Sequence, residues 1–243
     1  MFSNNQFRED WIQKTLLKIP ANATILDAGA GELGKKKYCS HLQYISQDFA
    51  RYDGNGDGHA LQTSTWNQEK LDIISDITDI PVTDNSFDAA MCIEVLEHLP
   101  DPLAALRELS RIVRPGGYLI LTAPFCSLTH FSPYHFATGF NHYWYEKHLP
   151  EYHFEIIELV ANGNFLSYLY QEINRLPYIS EKYHLPQFGF FEKIAKKIIN
   201  HYLLKNLTKA THTSELLCFG YQVFARKIKD QDVVELYFGN SPK

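Results

Sequence analysis

The stretch "ILDAGAGELG", Ile25–Gly34, decides the reading of this chain: an apolar run ends in Gly29, Gly31 and Gly34 at the spacing G-x-G-x-x-G. That spacing predicts a buried strand, a tight turn and a helix, here over about Glu32–Ser40, whose N-terminus could receive a pyrophosphate. Two acids complicate the picture. Asp27 precedes the first glycine by two residues and Glu32 lies inside the loop. Negative charge beside the turn repels paired phosphates and favours a ligand carrying an ammonium or a sulfonium.

Working outward, residues 5–18 carry Trp11, Ile12, Leu16 and Leu17 among charges, the pattern of a short amphipathic helix. "LQYISQDF" is a second strand, and it places Asp48 19 residues beyond Gly29. A long polar, glycine-rich connection, "RYDGNGDGHALQTSTWNQEK", follows it. The "DGNGDG" segment opens like a calcium loop, but its twelfth position is Ser64 and no helices flank it, so a turn beside the ligand edge fits better. "LDIISDIT" and "FDAAMCIEVL" read as strands three and four. "DPLAALRELSRIV" reads as a helix with Asp101 as N-cap and Pro102 in its first turn. "YLILTAP" is strand five. Strands and helices alternating in this way make a mostly parallel sheet, with ligands at the strands' carboxyl edge.

The bulk composition bounds the function. In 243 residues, 45% are hydrophobic and 21% charged, an ordinary core-forming balance. The net charge of −5 argues against broad binding to nucleic acid. Lys35–Lys37 and Lys193, Lys196 and Lys197 read as solvated helix faces. Four scattered cysteines without a C-x-x-C pair, no secretory leader and no apolar run near ~20 residues point to the cytoplasm.

The motifs, taken in order, resemble those of class I S-adenosylmethionine-dependent methyltransferases: "ILDAGAGELG", "QD" at 47–48, "SDITDIP", "SFDAAMCIEVLEHLPDP" and "LRELSRIVRPGGYLILTAP". The resemblance spans roughly residues 24–124. It implies an α/β, Rossmann-like sheet of seven strands with helices on both faces, the last strand ("LCFGYQVFARKI") antiparallel. It also implies S-adenosylmethionine as cofactor. Gly29 and Gly31 would admit the methionine part, and Asp27 would support its amino group. Asp48 would hold the ribose hydroxyls, and Asp76 and Ile77 the adenine. Glu94 would lie near the amino-acid moiety and the methyl donor. The organisation expected is one domain over 1–243: an N-terminal helix (1–22), the cofactor core (24–124), a lid (125–150) and a helical insertion (162–212) that could cap the acceptor or form a dimer surface.

The acceptor side is less defined. No N/D-P-P-Y/F tetrad or Pro-Cys pair marks amino or cytosine methylation. "EVLEH" resembles small-molecule class I methyltransferases, and the segment after strand five resembles bacterial methyltransferases of surface-glycan pathways, which together imply a small-molecule or glycan acceptor methylated at oxygen. "THFSPYHFATGFNHYW" follows strand five and should cover the pocket; His130, His135 and His142, with His98, are candidate bases because imidazole titrates near neutrality. "EVLEH", Glu94 to His98, also resembles the E-x-x-E-H segment with which terminal 2′-O-methyltransferases of small RNAs hold a divalent metal. A Glu94/Glu97/His98 metal centre, completed by one lid histidine, is therefore an alternative to a metal-free pocket. A nicotinamide-dependent oxidoreductase and a non-catalytic scaffold of the same fold are further alternatives.

Overall fold

A computed structural model describes residues 3–67 and 70–228. The charged tail from Lys229 onward lies outside them. The chain begins with α1 (Asn4–Leu16), whose first turn is capped by Ser3. It then forms β1 (Thr24–Ala28), β2 (Gln43–Asp48), β3 (Ile73–Ile74), β4 (Phe87–Ile93), α2 (Pro102–Ile112), β5 (Val113–Pro124), α3 (His142–Glu151), β6 (Phe154–Asn162), α4 (Phe165–Lys182), α5 (Phe190–Asn206) and β7 (Gly220–Lys227). The seven strands form one sheet in the order β3-β2-β1-β4-β5-β7-β6. β7 is antiparallel to both neighbours, and β1 to β5 are parallel. The order reverses between β1 and β4, the switch point where open α/β sheets bind ligands.

Strand alternation sorts the core into two layers. Leu26, Ala90, Cys92, Leu119, Leu121, Val223 and Ala225 face α2 and α3, where they meet Leu106, Leu109, Tyr145 and Leu149. Their chain neighbours Ile25, Ala89, Met91, Ile120 and Phe224 face α1 and meet Trp11, Ile12 and Leu16. Period two in the strands and about 3.6 in the helices make both layers continuous. Each fully buried aliphatic side chain contributes roughly 1.5–3 kcal/mol.

Helix α2 starts as its sequence predicts. Asp101 Oδ1 accepts from the N–H groups of Leu103 (3.1 Å) and Ala104 (3.0 Å). Its Glu108 and Arg111 hold the segment after β3: Glu108 Oε1 accepts from Ile80 N–H, and Arg111 donates to the Ile80 and Val82 carbonyls. The insertion is a helical pair joined by mutual amide bonds between Asn174 and Asn200 (3.2 and 3.0 Å). The outer side of α5 leaves Phe190, Phe191, Ile198 and Tyr202 exposed.

Two expectations are corrected. No α-helix follows the glycine loop; the chain instead makes successive i→i−3 turns and a three-residue 3₁₀ turn at Lys36–Tyr38. Leu33 adopts φ +60°, a left-handed conformation that cannot continue an α-helix. The third strand, expected over "LDIISDIT", is reduced to Ile73–Ile74, because it is an edge strand that pairs only with the end of β2.

Candidate active site at the carboxyl edge of the sheet

The glycine loop is fixed from β2. The N–H groups of Gly29 and Ala30 both donate to the Gln47 carbonyl (2.8 Å each), and Gly31 N–H donates to Asp48 Oδ2 (2.9 Å). Gly29 (φ +78°) and Gly31 (φ +50°) hold conformations that disfavour any side chain. They also have no room for one. A Cβ on Gly29 would lie 2.5 Å from Val95 Cγ2, and one on Gly31 2.7 Å from Trp66 Cζ2. Gly34 has open space around it and a negative φ, so the third glycine of the pattern meets no steric demand. Without a helix behind the loop, the N-terminal dipole on which a pyrophosphate would sit is missing. The basic run is engaged elsewhere: Lys35 pairs with Glu9, and Lys36 and Lys37 lie over the rings of Tyr44 and Tyr38.

Asp27 is buried at 2% exposure under the loop, with the Tyr44 hydroxyl donating to its Oδ2 (2.6 Å). Burial pushes this carboxyl up to about 7, and the Tyr44 hydrogen bond opposes the rise. Asp48 Oδ1 accepts from Ala50 N–H (2.9 Å). Asp76 is exposed, and its Oδ1 accepts from the N–H and hydroxyl of Thr78. Ile77, expected to pack on a ligand ring, is instead 5% exposed and its side chain belongs to the core beneath α2.

At the end of β4, Glu94 takes φ +55°, which turns the chain sharply into Val95–His98. Its carboxylate pairs with Arg8 of α1 (2.7 Å) and accepts from the Thr122 hydroxyl (2.8 Å). These atoms border a small polar hollow with Asn162 and Gln222. Glu94 therefore does not complete the expected Glu94/Glu97/His98 metal set, because its carboxylate is claimed by α1 and β5.

The lid delivers different partners. The glycine-rich connection docks on it: Leu61 N–H donates to the Thr129 carbonyl, and Phe131 N–H to the Leu61 carbonyl. Ser132 donates to Asp57 and accepts, through its carbonyl, from Gln62 and Asp57 N–H. The Glu97 carbonyl accepts from the N–H groups of Phe136 (2.8 Å) and Ala137 (3.2 Å). These bonds bring His98, His130 and His135 together, with one ring nitrogen of each within 4.8 Å of the others. Glu97, 1% exposed, lies beside two of them; its Oε1 is 3.6 Å from His98 Nε2 and 3.9 Å from His130 Nε2. Burial lowers the His98 imidazole to about 3, with His130 adding to the shift, and burial lowers His135 as well. Burial also raises the Glu97 carboxyl well above the ordinary range. His142 does not join them. It starts α3, with its ring against Tyr143 and Tyr221. Phe131 stacks on His98 and Tyr52 and touches Trp66, so one aromatic layer connects this cluster to the glycine loop.

Tyr52, Trp66 and Phe131 were not singled out in the sequence. Their only signal was aromatic residues in an otherwise polar loop. The pairing of the glycine-rich loop with the lid had no sequence signal at all.

Residues 26–121 match the family described as "Methyltransferase domain". A ubiquinone biosynthesis O-methyltransferase of Aliivibrio fischeri (strain MJ11) is 35% identical over 66 residues, 26% of this chain and 26% of that protein. Its counterpart in Xanthomonas campestris pv. campestris (strain B100) is 38% identical over 64 residues, again 26% of each chain. The matches thus span about a quarter of these relatives. Among solved structures, a candidate sarcosine dimethylglycine methyltransferase of Galdieria sulphuraria superposes with a TM-score of 0.52 at 16% identity, covering 91% of this chain and 84% of that one. The [4+2]-cyclase SpnF superposes with a TM-score of 0.52 at 15% identity, covering 90% and 80%. The fold is that of the class I methyltransferases, and the match to the methyltransferase-domain family falls on residues 26–121. Among the described residues, no helix is long and apolar enough to cross a membrane.

Proposed function

We propose that this chain transfers the methyl group of S-adenosylmethionine to an oxygen of a small-molecule acceptor, a phenol or a sugar hydroxyl. The observation that carries the reading is the acid-flanked glycine turn at the switch point: two glycines without room for a Cβ, the buried Asp27 and the Asp48 carboxylate share one loop that opens no helix. Such a turn suits a cofactor bearing an ammonium and a sulfonium, and suits a pyrophosphate poorly. Asp48 would take the ribose hydroxyls, Asp76 and the Ile77 backbone the adenine, and Asp27 the methionine ammonium. Trp66 borders Gly31 on the side a Cβ would occupy, and so walls the proposed cofactor site.

The sulfonium is already a good leaving group. The protein's contribution is alignment, exclusion of water and handling of the acceptor proton. The acceptor end lies at the lid, where three imidazoles and a buried carboxyl cluster. Oxygen rather than nitrogen is supported by the two O-methyltransferase relatives, and SpnF is the reminder that this fold also hosts other chemistry. Four unpaired thiols fit the cytoplasm as the compartment.

Calorimetry tests the reading. S-adenosylhomocysteine should bind, while NAD and NADP should not. Binding of a dinucleotide alone would replace it with the oxidoreductase reading. Cofactor binding with no turnover on any phenolic or sugar acceptor would leave a scaffold.

A further inference from the structure

We infer that His98, His130, His135 and Glu97 form a binding site for one divalent first-row transition metal, built by the lid closing on the turn after β4. Four observations carry this. Three imidazoles converge within 4.8 Å. Glu97 is fully enclosed, yet neither carboxylate oxygen has a hydrogen-bond partner among the described residues, and the same holds for His135 Nδ1. A buried carboxyl whose oxygens make no hydrogen bond is unfavourable, and such groups in native proteins normally have a ligand, ion or water.

The third observation is tautomer control. The carbonyl of Tyr134 accepts from His98 Nδ1–H, and that of Leu128 from His130 Nδ1–H (2.8 Å). Both carbonyls therefore hold a proton on Nδ1, which makes Nε2 the lone-pair nitrogen of the neutral tautomer, and both Nε2 atoms face Glu97. Backbone carbonyls orient metal-bound imidazoles in this way. The fourth is spacing. Ligand atoms bound tetrahedrally at ~2.0–2.2 Å sit ~3.4 Å apart; the two Nε2–Oε1 separations are 3.6 and 3.9 Å, and the three imidazole atoms, within 4.8 Å of one another, would draw inward on an ion. A direct hydrogen bond would be shorter than either. Three imidazoles and one carboxylate suit zinc, iron(II), cobalt or manganese, whereas magnesium and calcium prefer oxygen donors. The His130 side chain keeps 25% of its surface exposed, so the site opens toward the lid's outer side.

The ion's role rests on the methyl-transfer reading; its binding does not. In that role the four side chains would hold the ion, and a fifth coordination position would take the acceptor oxygen and lower the pKa of its hydroxyl. The hydroxyl proton passes to bulk water, the oxygen attacks the methyl carbon, the carbon–sulfur bond breaks, and sulfur keeps the electron pair.

The test is titration of the metal-stripped protein with Co²⁺, followed by its visible d–d bands, and with Zn²⁺ by calorimetry. One ion per chain is expected. His130→Ala, a partly exposed position that tolerates substitution, should weaken binding more than about tenfold, and Glu97→Gln likewise. His142→Ala should leave metal affinity within about twofold. Absence of stoichiometric Co²⁺ or Zn²⁺, binding of Mg²⁺ or Ca²⁺ in preference, or affinities unmoved by both His130→Ala and Glu97→Gln overturn the site. S-adenosylhomocysteine binding on the same samples reports folding of each variant and separates the two readings. Metal without cofactor keeps the site and removes the methyltransferase; cofactor without metal does the reverse.

Discussion

The two ends of the active-site edge are built differently. On the β1–β2 side, each proposed contact to the cofactor comes from a residue within a few positions of a strand end, and neighbouring backbone holds it in place: Gln47 and Asp48 grip the loop of Gly29–Gly31. On the lid side, the functional groups come from segments over 30 residues apart, and two loops without regular structure hold them together. The first end is local and rigid. The second exists only while the glycine-rich loop, the lid and the turn after β4 are docked. Local geometry suits a ligand recognised by shape, and an assembled site suits an acceptor that must enter and leave.

That contrast can be broken by substitution, and the largest effect should fall on the local end. Gly29→Ala puts a Cβ 2.5 Å from Val95 Cγ2 at φ +78°. It should cost about 2–5 kcal/mol of stability, combining backbone strain and overpacking, read as a lowered denaturant midpoint with unchanged slope. Next, Asp48→Ala removes the acceptor for Gly31 N–H and the proposed ribose contacts. S-adenosylhomocysteine affinity should fall by about 1–3 kcal/mol in calorimetry; an unchanged affinity would place the ribose elsewhere.

On the assembled end, Gly56→Ala places a Cβ 1.9 Å from the Ser132 carbonyl oxygen. It should pry the loop from the lid and lower Co²⁺ affinity by roughly tenfold, about 1.4 kcal/mol, while S-adenosylhomocysteine affinity stays within about twofold. A parallel loss of both would mean that the two ends are one unit. A pH dependence bears on the local end as well. Asp27, at about 7 in the folded protein against 3.8 for the free side chain, binds its proton more readily when folded. Stability should therefore be fully present below pH 3.8 and decline as pH rises toward 7. An ammonium-bearing ligand prefers the ionised form, so S-adenosylhomocysteine affinity should weaken below pH 7 by at most about tenfold per pH unit. Asp27→Asn should flatten that profile; a flat wild-type profile would remove Asp27 from the ammonium.

Much of the first end was legible in advance. The period-two strands, the Asp101 cap and the glycine turn each depend on residues a few positions apart, so spacing alone locates them. Two local readings failed for tertiary reasons. The turn after Gly31 bends through a left-handed Leu33, and Glu9 draws Lys35 toward α1, so a segment of helical composition never winds. Ile77 reads as a ligand-facing apolar residue, but α2 covers it.

The histidines of the lid could be named but not sorted. Nothing in "THFSPYHFATGFNHYW" separates His130 and His135 from His142; Leu61 pairing beside His130, and the Glu97 carbonyl receiving Phe136 and Ala137, make that choice. Nor could spacing say that Glu94 turns to Arg8 while Glu97 faces the imidazoles, since a positive φ at Glu94 decides it. The sequence by itself determined most of the strands, their parallel alternation with helices and the acid-flanked turn, because these follow from short-range periodicity and backbone sterics. The tertiary structure alone decided which titratable groups share a buried space, because that depends on loop docking across the chain, where hydrogen bonds and desolvation act between residues that sequence order leaves far apart.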